Sequence, residues 1–406
     1  MSSNKNVRNA IMIGSLCSIS YLAVYIARNV LSAVTPQMID PVTGVTNEAF
    51  IGSLSSVYFA MYAIGQLING AIGDKIKAQY MISFGLLFAG LTNFLFVFMP
   101  PSSLAATAVY GMTGFFLSMI YGPMTKVVAE NTDPVYTTRC SLGYTFASFF
   151  GSPLAGMLAA VLTWQSVFWV SSSALGAMAV ISFFVFLLFE RSGIVKYGQY
   201  RLESQDKTGG IAVLIRHRIV KFSIVSIITG VVRTSVVFWL PTYINQYLGF
   251  SPDESAGMFT VATLVISLSA FVSVFLYERL GRNMDLTILM LFACSTAFFV
   301  AVFFVAQPIP NLVLMVLAIM GSNGAATMLW SRYCPSLRDT GMVSGATGFL
   351  DFLSYMAAAA SSKIFANAVG VIGWSNLILV WAALVFCGVL LFLPISHGKH
   401  KSRLGQ

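Results

Sequence analysis

The chain consists largely of long apolar runs, each close to the length that a helix needs to cross a bilayer. Of its 406 residues, 57% are hydrophobic and 9% are charged, whereas soluble domains carry about 25% charged residues. The runs are continuously apolar rather than alternating, which favours helices over the strands of a membrane barrel. We therefore predict an all-α membrane protein with twelve transmembrane helices. The approximate ranges are 10–34, 48–73, 78–99, 102–129, 137–161, 165–190, 218–247, 255–277, 284–306, 309–332, 340–366 and 372–394.

The formal net charge of +9 is distributed along the chain as expected for a membrane protein. Lys and Arg concentrate in alternate connections between the runs, while the intervening connections contain neither residue. This is the positive-inside pattern, which predicts a multi-pass protein of an inner or plasma membrane with both termini in the cytoplasm. The same distribution argues against nucleic acid as a partner. The connections without Lys or Arg are 35–47, 99–103, 162–164, 248–254, 307–311 and 367–373.

A polar segment near the middle divides the twelve runs into six and six. We predict an N-terminal bundle at 1–190, a cytoplasmic linker at 191–217 and a C-terminal bundle at 218–406. The halves resemble each other at an offset of about 205 residues. An arginine and a later acidic residue are 46 residues apart in the first half and 45 in the second. Two pseudo-symmetric six-helix bundles are a recurrent transporter plan, with the substrate between them at the membrane midplane.

Arg28 and Arg233 lie at matching places inside apolar runs of the two halves. A charged side chain near the middle of a spanning helix costs about 2.5–3.5 kcal/mol on insertion scales, so a compensating interaction is required. A guanidinium group can bind a phosphate or carboxylate through two parallel hydrogen bonds. Tyr21 and Tyr25 share a helical face with Arg28. We predict that these residues bind a small anion.

Four further polar positions belong to the predicted binding site. Tyr62 and Gln66 lie on a polar face of the second predicted helix, and Tyr121 belongs to the fourth. Asp351 is the acidic residue that we place near the midplane, in the eleventh helix. It could orient an arginine, carry a proton or bind a substrate hydroxyl group. With Asp351 ionised, the site has a charge near +1, which suits a carboxylate as well as a phosphate monoester.

Two acid–base pairs follow the second and eighth predicted helices. Asp74 and Lys75 form one pair, and Glu278 and Arg279 form the other. Their loops resemble the pattern G-x-x-x-D-[RK]-x-G-[RK] of the major facilitator superfamily, although Lys77 replaces the second glycine of the first copy and the second copy lacks the leading glycine. The resemblance implies a cytoplasmic gate in which these acids pair with basic residues of neighbouring helices.

The arginine segments also resemble a narrower family, the organophosphate:phosphate antiporters. The matching patterns are Y-x-x-x-Y-x-x-R at 21–28, R-x-x-x-x-x-W-x-P-T-Y at 233–243 and G-x-T-G at 345–348. The resemblance covers nearly the whole chain in helix order. It implies the major facilitator fold, and it implies that Arg28 and Arg233 hold a phosphoryl group.

Several positions depart from the glycerol-phosphate members of that family. Asn29 replaces a basic residue, Gln66 replaces a lysine, and Phe238 replaces an acid. The fifth predicted helix, 137–161, has no histidine where those members have one. The predicted cavity is therefore less positive than theirs, and an anionic ligand is better supported than its identity.

We therefore predict a secondary active transporter of a small organic anion, acting as a monomer. Exchange of an organophosphate for inorganic phosphate by alternating access is the first hypothesis. A proton-coupled organic-acid symporter and a sugar-phosphate membrane sensor are the alternatives. Five scattered cysteines predict neither a metal site nor disulfides. We also expect no cofactor and no enzymatic activity, since the sequence has no nucleophile–base pair and no nucleotide-binding loop.

Overall fold

The computed structural model describes residues 2–39, 46–73, 76–101, 103–197, 211–337 and 343–393. Within these ranges the secondary structure is helical, and no strand occurs. The first half contains α1 (Ser2–Met38), α2 (Glu48–Gly73), α3 (Ala78–Phe96), α4 (Leu104–Asn131), α5 (Pro134–Val161) and α6 (Trp164–Arg191). The second half contains α7 (Ile211–Arg216), α8 (Ile219–Gly230), α9 (Val237–Gln246), α10 (Pro252–Ser267), α11 (Ser269–Arg279), α12 (Met284–Phe304), α13 (Pro308–Met328), α14 (Cys334–Ser336) and α15 (Val343–Phe392).

These helices confirm the predicted all-α membrane fold. Ten stretches among the described residues are helical, long and apolar enough to cross a membrane. One of them lies within α15, whose 50 residues extend about 75 Å, more than twice the hydrocarbon thickness. Gly373 divides α15 because its φ of 72° is left-handed, which creates the boundary predicted between the last two spans. Counting α15 as two spans and adding α5, which is 28 residues long, raises the ten stretches to the twelve predicted spans.

The helix ends lie on two opposite faces of the array. On one face, Lys77 at the start of α3 pairs with Glu190 at the end of α6, and Arg218 before α8 pairs with Asp285 in α12. We name this the basic face. On the other, the far face, the Gln37 side chain at the end of α1 donates to the carbonyl of Ala159 in α5. The sequence predicts that the basic face is cytoplasmic.

The helices of each half pack mainly on one another. In the first half, α1 packs on α5 and α6, and α4 packs on α2 and α3; in the second, α15 packs on α8 and α12. The halves meet where α2 packs on α15, α5 packs on α10 and α1 packs on α9. The exact bundle boundaries at 190 and 218 stay a prediction, and residues 198–210 of the linker lie outside the described ranges.

The hydrogen bonds that join the two halves are concentrated toward the far face. Among the described residues these bonds are Ser32 Oγ to the Phe238 carbonyl (2.6 Å), Ser55 Oγ to Ser362 Oγ (2.9 Å), Gln246 Nε2 to Glu48 Oε1 (2.6 Å) and Thr260 Oγ1 to the Pro153 carbonyl (3.3 Å). The described contacts therefore close the far face.

Candidate functional site

The two predicted arginines lie at mid-depth in their spans. Arg28 is ten residues before the end of α1, about 15 Å along the axis and half of the roughly 30 Å hydrocarbon core. Arg233 lies thirteen residues before the end of α9, about 20 Å along the axis. It belongs to a π-helical segment, Val231–Val236, between α8 and α9. Such segments are rare and often occur at functional sites.

Both guanidinium groups lie at the interface between the halves, near the same tyrosine ring. The Cζ atom of Arg28 lies 4.8 Å from the centre of the Tyr355 ring, and that of Arg233 lies 6.0 Å from it. Because both distances end on one ring, the two groups are separated by no more than their sum. The predicted meeting of the arginines across the halves is therefore present in the structure.

Arg28 is surrounded by aromatic rings from three helices. Besides Tyr355 on α15, its Cζ lies 5.4 Å from the Tyr25 ring on α1 and 5.3 Å from the Tyr62 ring on α2. A guanidinium within about 6 Å of a ring centre is attracted by the negative face of the ring. The rings thus offset part of the cost of removing the charge from water, yet they leave its N–H donors available for an anion.

Asp351 shares this site without forming an ion pair. It lies one turn before Tyr355 on the same face of α15, and both Arg233 and Arg28 act electrostatically on its carboxyl group. Within the described part of the chain, no side chain approaches it closely enough for an ion pair. Neither arginine is therefore neutralised by a bonded carboxylate. The described ranges also contain no group of three or more side chains suited to hold a metal ion.

The remaining predicted residues occupy different parts of the site. The Tyr21 ring contacts the rings of Tyr25 and Tyr121 at centre distances of 5.0 and 5.4 Å. Tyr121 is 42% exposed, and its ring joins the cluster through Tyr21, which in turn packs on Tyr25 next to Arg28. Gln66 lies one turn beyond Tyr62 on α2 and is half-buried, and no described side chain joins it to the ring cluster.

The polar face of α2 serves two different contacts. Ser55 and Tyr62 face the second half, since Ser55 bonds to Ser362 and the Tyr62 ring lies 4.8 Å from the ring of Tyr355. Tyr58 and Asn69 instead face α4, where the Tyr58 ring packs on Tyr110 and the Asn69 side chain donates to Ser118. Adjacent faces of α2 thus serve different contacts: one faces the other half, and the next packs within the first half.

Of the predicted gating residues, the structure describes Glu278 and Arg279, which lie at the end of α11. Asp74 and Lys75 lie outside the described residues. Glu278 is exposed at the end of α11 and pairs with no described cation. The Arg279 guanidinium lies 5.5 Å from the Phe275 ring of its own helix. The gate therefore stays a prediction. Lys77, which replaces the motif glycine, instead bonds to Glu190 at 2.6 Å.

Tyr355 is outside the set of residues that we predicted to bind the anion, although it falls on the same polar stripe of the eleventh predicted helix as Asp351. It contacts both arginines and the Tyr62 ring, so it lies at the centre of the cluster. Its spacing of four residues after Asp351 was a usable signal, because residues four apart share a helical face. That spacing could not indicate which other helices this face of α15 would contact.

The aromatic residues that follow Arg233 pack within the second half. The Trp239 indole N–H donates to the Ser362 carbonyl at 3.3 Å, and the Tyr243 hydroxyl group bonds to the Asn311 side chain. Both aromatic side chains are fully buried. They fix the position of α9 against α13 and α15 and do not line the arginine site.

Comparison with known proteins agrees with this architecture. A family model described as Major Facilitator Superfamily matches residues 17–362. The D-xylose–proton symporter superposes with a TM-score of 0.72 at 13% identity, covering 95% of this chain and 97% of that one. An inward-facing, unoccupied bacterial homologue of the human lysosomal transporter Spinster gives a TM-score of 0.73 at 11% identity, with 95% and 96% coverage. These structural similarities concern the fold alone.

The relatives detected by sequence have low identity to this chain, although two of the three described below match it over most of its length. The glycerol-3-phosphate transporter of Bacillus subtilis is 25% identical over 276 residues, which cover 62% of this chain and 60% of that protein. The membrane sensor protein UhpC of Escherichia coli is 23% identical, covering 94% of this chain and 91% of the sensor. The phosphoglycerate transporter protein of Salmonella typhimurium is 23% identical, with 93% and 87% coverage. Since the family model spans most of its length, the chain belongs to the Major Facilitator Superfamily.

Proposed function

We propose that this protein is a secondary active transporter that exchanges a small organophosphate for inorganic phosphate by alternating access. The observation that carries the proposal is the pair of arginines, one from each half, whose guanidinium groups both lie within 6.0 Å of the centre of the Tyr355 ring. Arg28 and Arg233 would bind the phosphoryl group through paired hydrogen bonds. The organic part of the substrate would contact the surrounding side chains, which are Tyr21, Tyr25, Tyr62, Gln66, Tyr121 and Asp351.

The charge of the arginines gives a physical reason for exchange. Two like charges that are at most about 11 Å apart repel by at least about 1.5 kcal/mol at an effective dielectric constant of 20. A bound anion cancels this repulsion, so the halves can approach each other around it and reopen on the other side. The empty carrier lacks that compensation and resists the same closure. Transport in one direction is therefore coupled to transport of another anion back.

The charge pattern supports an orientation for this cycle. With the basic face in the cytoplasm, the closed far face makes the present conformation inward-facing. The carrier then works in an inner or plasma membrane with both termini inside. Both arginines belong to one chain, which supports a monomer as the functional unit. The names of the glycerol-3-phosphate and phosphoglycerate transporters support a phosphorylated substrate.

Counterflow from liposomes tests the proposal. Purified protein is reconstituted with radiolabelled phosphate inside, and release is measured after external phosphate or an organophosphate is added. Arg28→Lys should reduce exchange about 10- to 150-fold, because it keeps the charge but loses the paired hydrogen bonds to the anion. Arg218→Lys is the matched control, because Arg218 pairs with Asp285 on the basic face, away from the site.

Two outcomes would reject the exchanger. One is release of label at the same rate with and without an external anion. The other is wild-type exchange in Arg28→Lys, since the anion would then not depend on the guanidinium fork. If Arg28→Lys and Arg218→Lys lost exchange activity equally, the loss would reflect a general effect on the folded protein and would not support a role of Arg28 in binding the anion.

Proton-coupled symport of an organic acid is the second candidate, and the unpaired Asp351 beside the arginines favours it. In a symporter, Asp351→Asn should abolish accumulation driven by a pH gradient. A sensing role is the third candidate, since a relative that covers 94% of the chain is named a membrane sensor. A sensor would bind organophosphate without releasing internal label.

A further inference from the structure

We propose that the preferred substrate is a zwitterion: a phosphate monoester whose organic part carries an ammonium group, bound by the carboxylate of Asp351 and the ring of Tyr121. The inference deepens the proposed function and rests on it, since it assumes that the arginines bind the phosphoryl group. It adds a second subsite, next to the arginines, that binds the positively charged ammonium group of the substrate.

The position of Asp351 defines this subsite. One turn of α15 separates it from Tyr355, whose ring lies near both guanidinium groups. Asp351 is thus one helical turn from Tyr355, toward the basic face. This spacing of about 5 Å is comparable to the length of a two-carbon chain between a phosphate and an amine. A short aminoalkyl phosphate can therefore reach both subsites at once.

Charge balance favours an ammonium group over a neutral one. Arg28, Arg233 and Asp351 together contribute a charge of about +1, while a phosphate monoester brings −1.5 to −2 at neutral pH. A substrate with a neutral organic part would leave the interior with an excess negative charge and with Asp351 close to the phosphate. Such an unpaired buried carboxylate is costly. One ammonium group neutralises the excess and supplies Asp351 with a partner.

The aromatic surroundings provide an independent argument. The rings of Tyr25, Tyr62 and Tyr355 already lie against the Arg28 guanidinium. Tyr121, whose ring lies 5.4 Å from that of Tyr21, is 42% exposed, and among the described side chains no cation lies over it. It also interacts electrostatically with Asp351. An exposed aromatic face beside a carboxylate is suited to bind an ammonium or quaternary ammonium group.

A matched pair of compounds tests the inference in the full-length protein. 2-Aminoethyl phosphate and 2-hydroxyethyl phosphate have the same length and the same phosphate, and they differ in the charge of the other end. We expect the amine to release labelled phosphate from liposomes at a concentration at least about tenfold lower, the preference expected of one hydrogen bond to a charged group. Equal potency, or a preference for the alcohol, would overturn the inference.

Two substitutions connect the preference to the proposed subsite. Asp351→Asn should reduce the preference to about twofold or less, with folding checked by thermal unfolding in detergent. Tyr121→Leu should lose more of the preference than Tyr121→Phe, because only the phenylalanine keeps a ring. A preference unchanged in Asp351→Asn, with only the pH dependence of uptake altered, would identify Asp351 as a proton carrier and refute the ammonium subsite.

Binding measurements separate this inference from the proposed exchange. The shift in unfolding temperature caused by each compound reports binding and requires no transport. If neither compound releases label but the amine stabilises the protein at lower concentration, exchange is wrong and the ammonium subsite stands. If both compounds release label and stabilise equally, exchange stands and the ammonium subsite is wrong.

Discussion

Gly52 lies where α2 packs against α15 at the closed far face, and a single methyl group added there should shift the protein toward the opposite conformation. A Cβ atom at this position would lie 2.4 Å from Cβ of Ala366 and 3.2 Å from the carbonyl oxygen of Ser362. Carbon atoms normally pack at about 3.5–4.0 Å. Gly52→Ala therefore forces the two helices apart by about 1 Å, next to the hydrogen bond between Ser55 and Ser362.

The size of the shift follows from the conformations that the methyl group affects. Overpacking a well-packed contact costs about 1–3 kcal/mol, and this cost applies only while α2 and α15 are in contact. The gain in helix propensity, about 0.5–1 kcal/mol, is present in both conformations and cancels. The ratio of far-open to far-closed protein should therefore rise about 5- to 150-fold.

A buried cysteine at a different helix contact reports the far-open population. Ser32 is 3% exposed, and its hydroxyl group donates to the Phe238 carbonyl where α1 meets α9. Ser32→Cys should react with a maleimide only when the halves separate at the far face. The exposed Cys294 and Cys387 are replaced by serine to reduce background labelling. In purified protein, Gly52→Ala should raise the labelling rate by the factor given above.

Two controls decide whether the effect is conformational. Gly257→Ala adds the same methyl group to α10, where a Cβ atom would meet nothing within 4 Å, so its labelling rate should equal that of the parent. Cys17 is buried in α1 and should stay unmodified. Equal labelling of Gly52→Ala and Gly257→Ala would refute the reasoning, and modification of Cys17 would mean that faster labelling comes from unfolding.

Three further predictions concern other contacts. Tyr355→Ala should weaken phosphate binding in a thermal-shift titration about 2- to 30-fold more than Tyr355→Phe, because the ring holds the arginines through interactions of about 0.5–2 kcal/mol; equal effects would contradict this. Tyr243→Phe should reduce stability by about 1–3 kcal/mol, because it removes a buried bond to Asn311, whereas exchange per folded molecule should not change. The hydrogen bond that Lys77 donates to Glu190 raises the pKa of Lys77, so Glu190→Gln should return that pKa to its usual range. The stabilisation that accompanies a raised lysine pKa is fully present below the usual pKa of about 10.4, and it is lost as pH rises through the higher pKa of the folded protein. The unfolding temperatures of the parent and Glu190→Gln should therefore converge in strongly alkaline buffer. A difference that grows there would be inconsistent with the pairing.

Hydropathy predicted the spans because membrane insertion depends on a local property. A backbone in lipid must satisfy its own hydrogen bonds, so an apolar run of sufficient length forms a helix whatever its neighbours are. The second predicted helix, 48–73, coincides with α2, and the boundary between the last two runs coincides with the turn at Gly373. The grouping of Arg28 with Tyr25 was predictable for a related reason, since it depends on helical spacing alone.

Contacts between helices required the tertiary structure. Spacing on α2 could not separate Tyr62, which faces the second half, from Tyr58, which faces α4. It also could not bring Tyr355 between two arginines that are 205 residues apart in sequence. The π-helical segment around Arg233 is likewise absent from the hydropathy pattern.

The sequence alone determined the number of spans, their approximate limits and the presence of two cations inside apolar runs, which require a compensating interaction. Only the tertiary structure decided which rings surround those cations and which face of the protein is closed. The physical reason is that burial in lipid acts on each segment separately. Packing between the halves instead selects among conformations that differ by only a few kcal/mol.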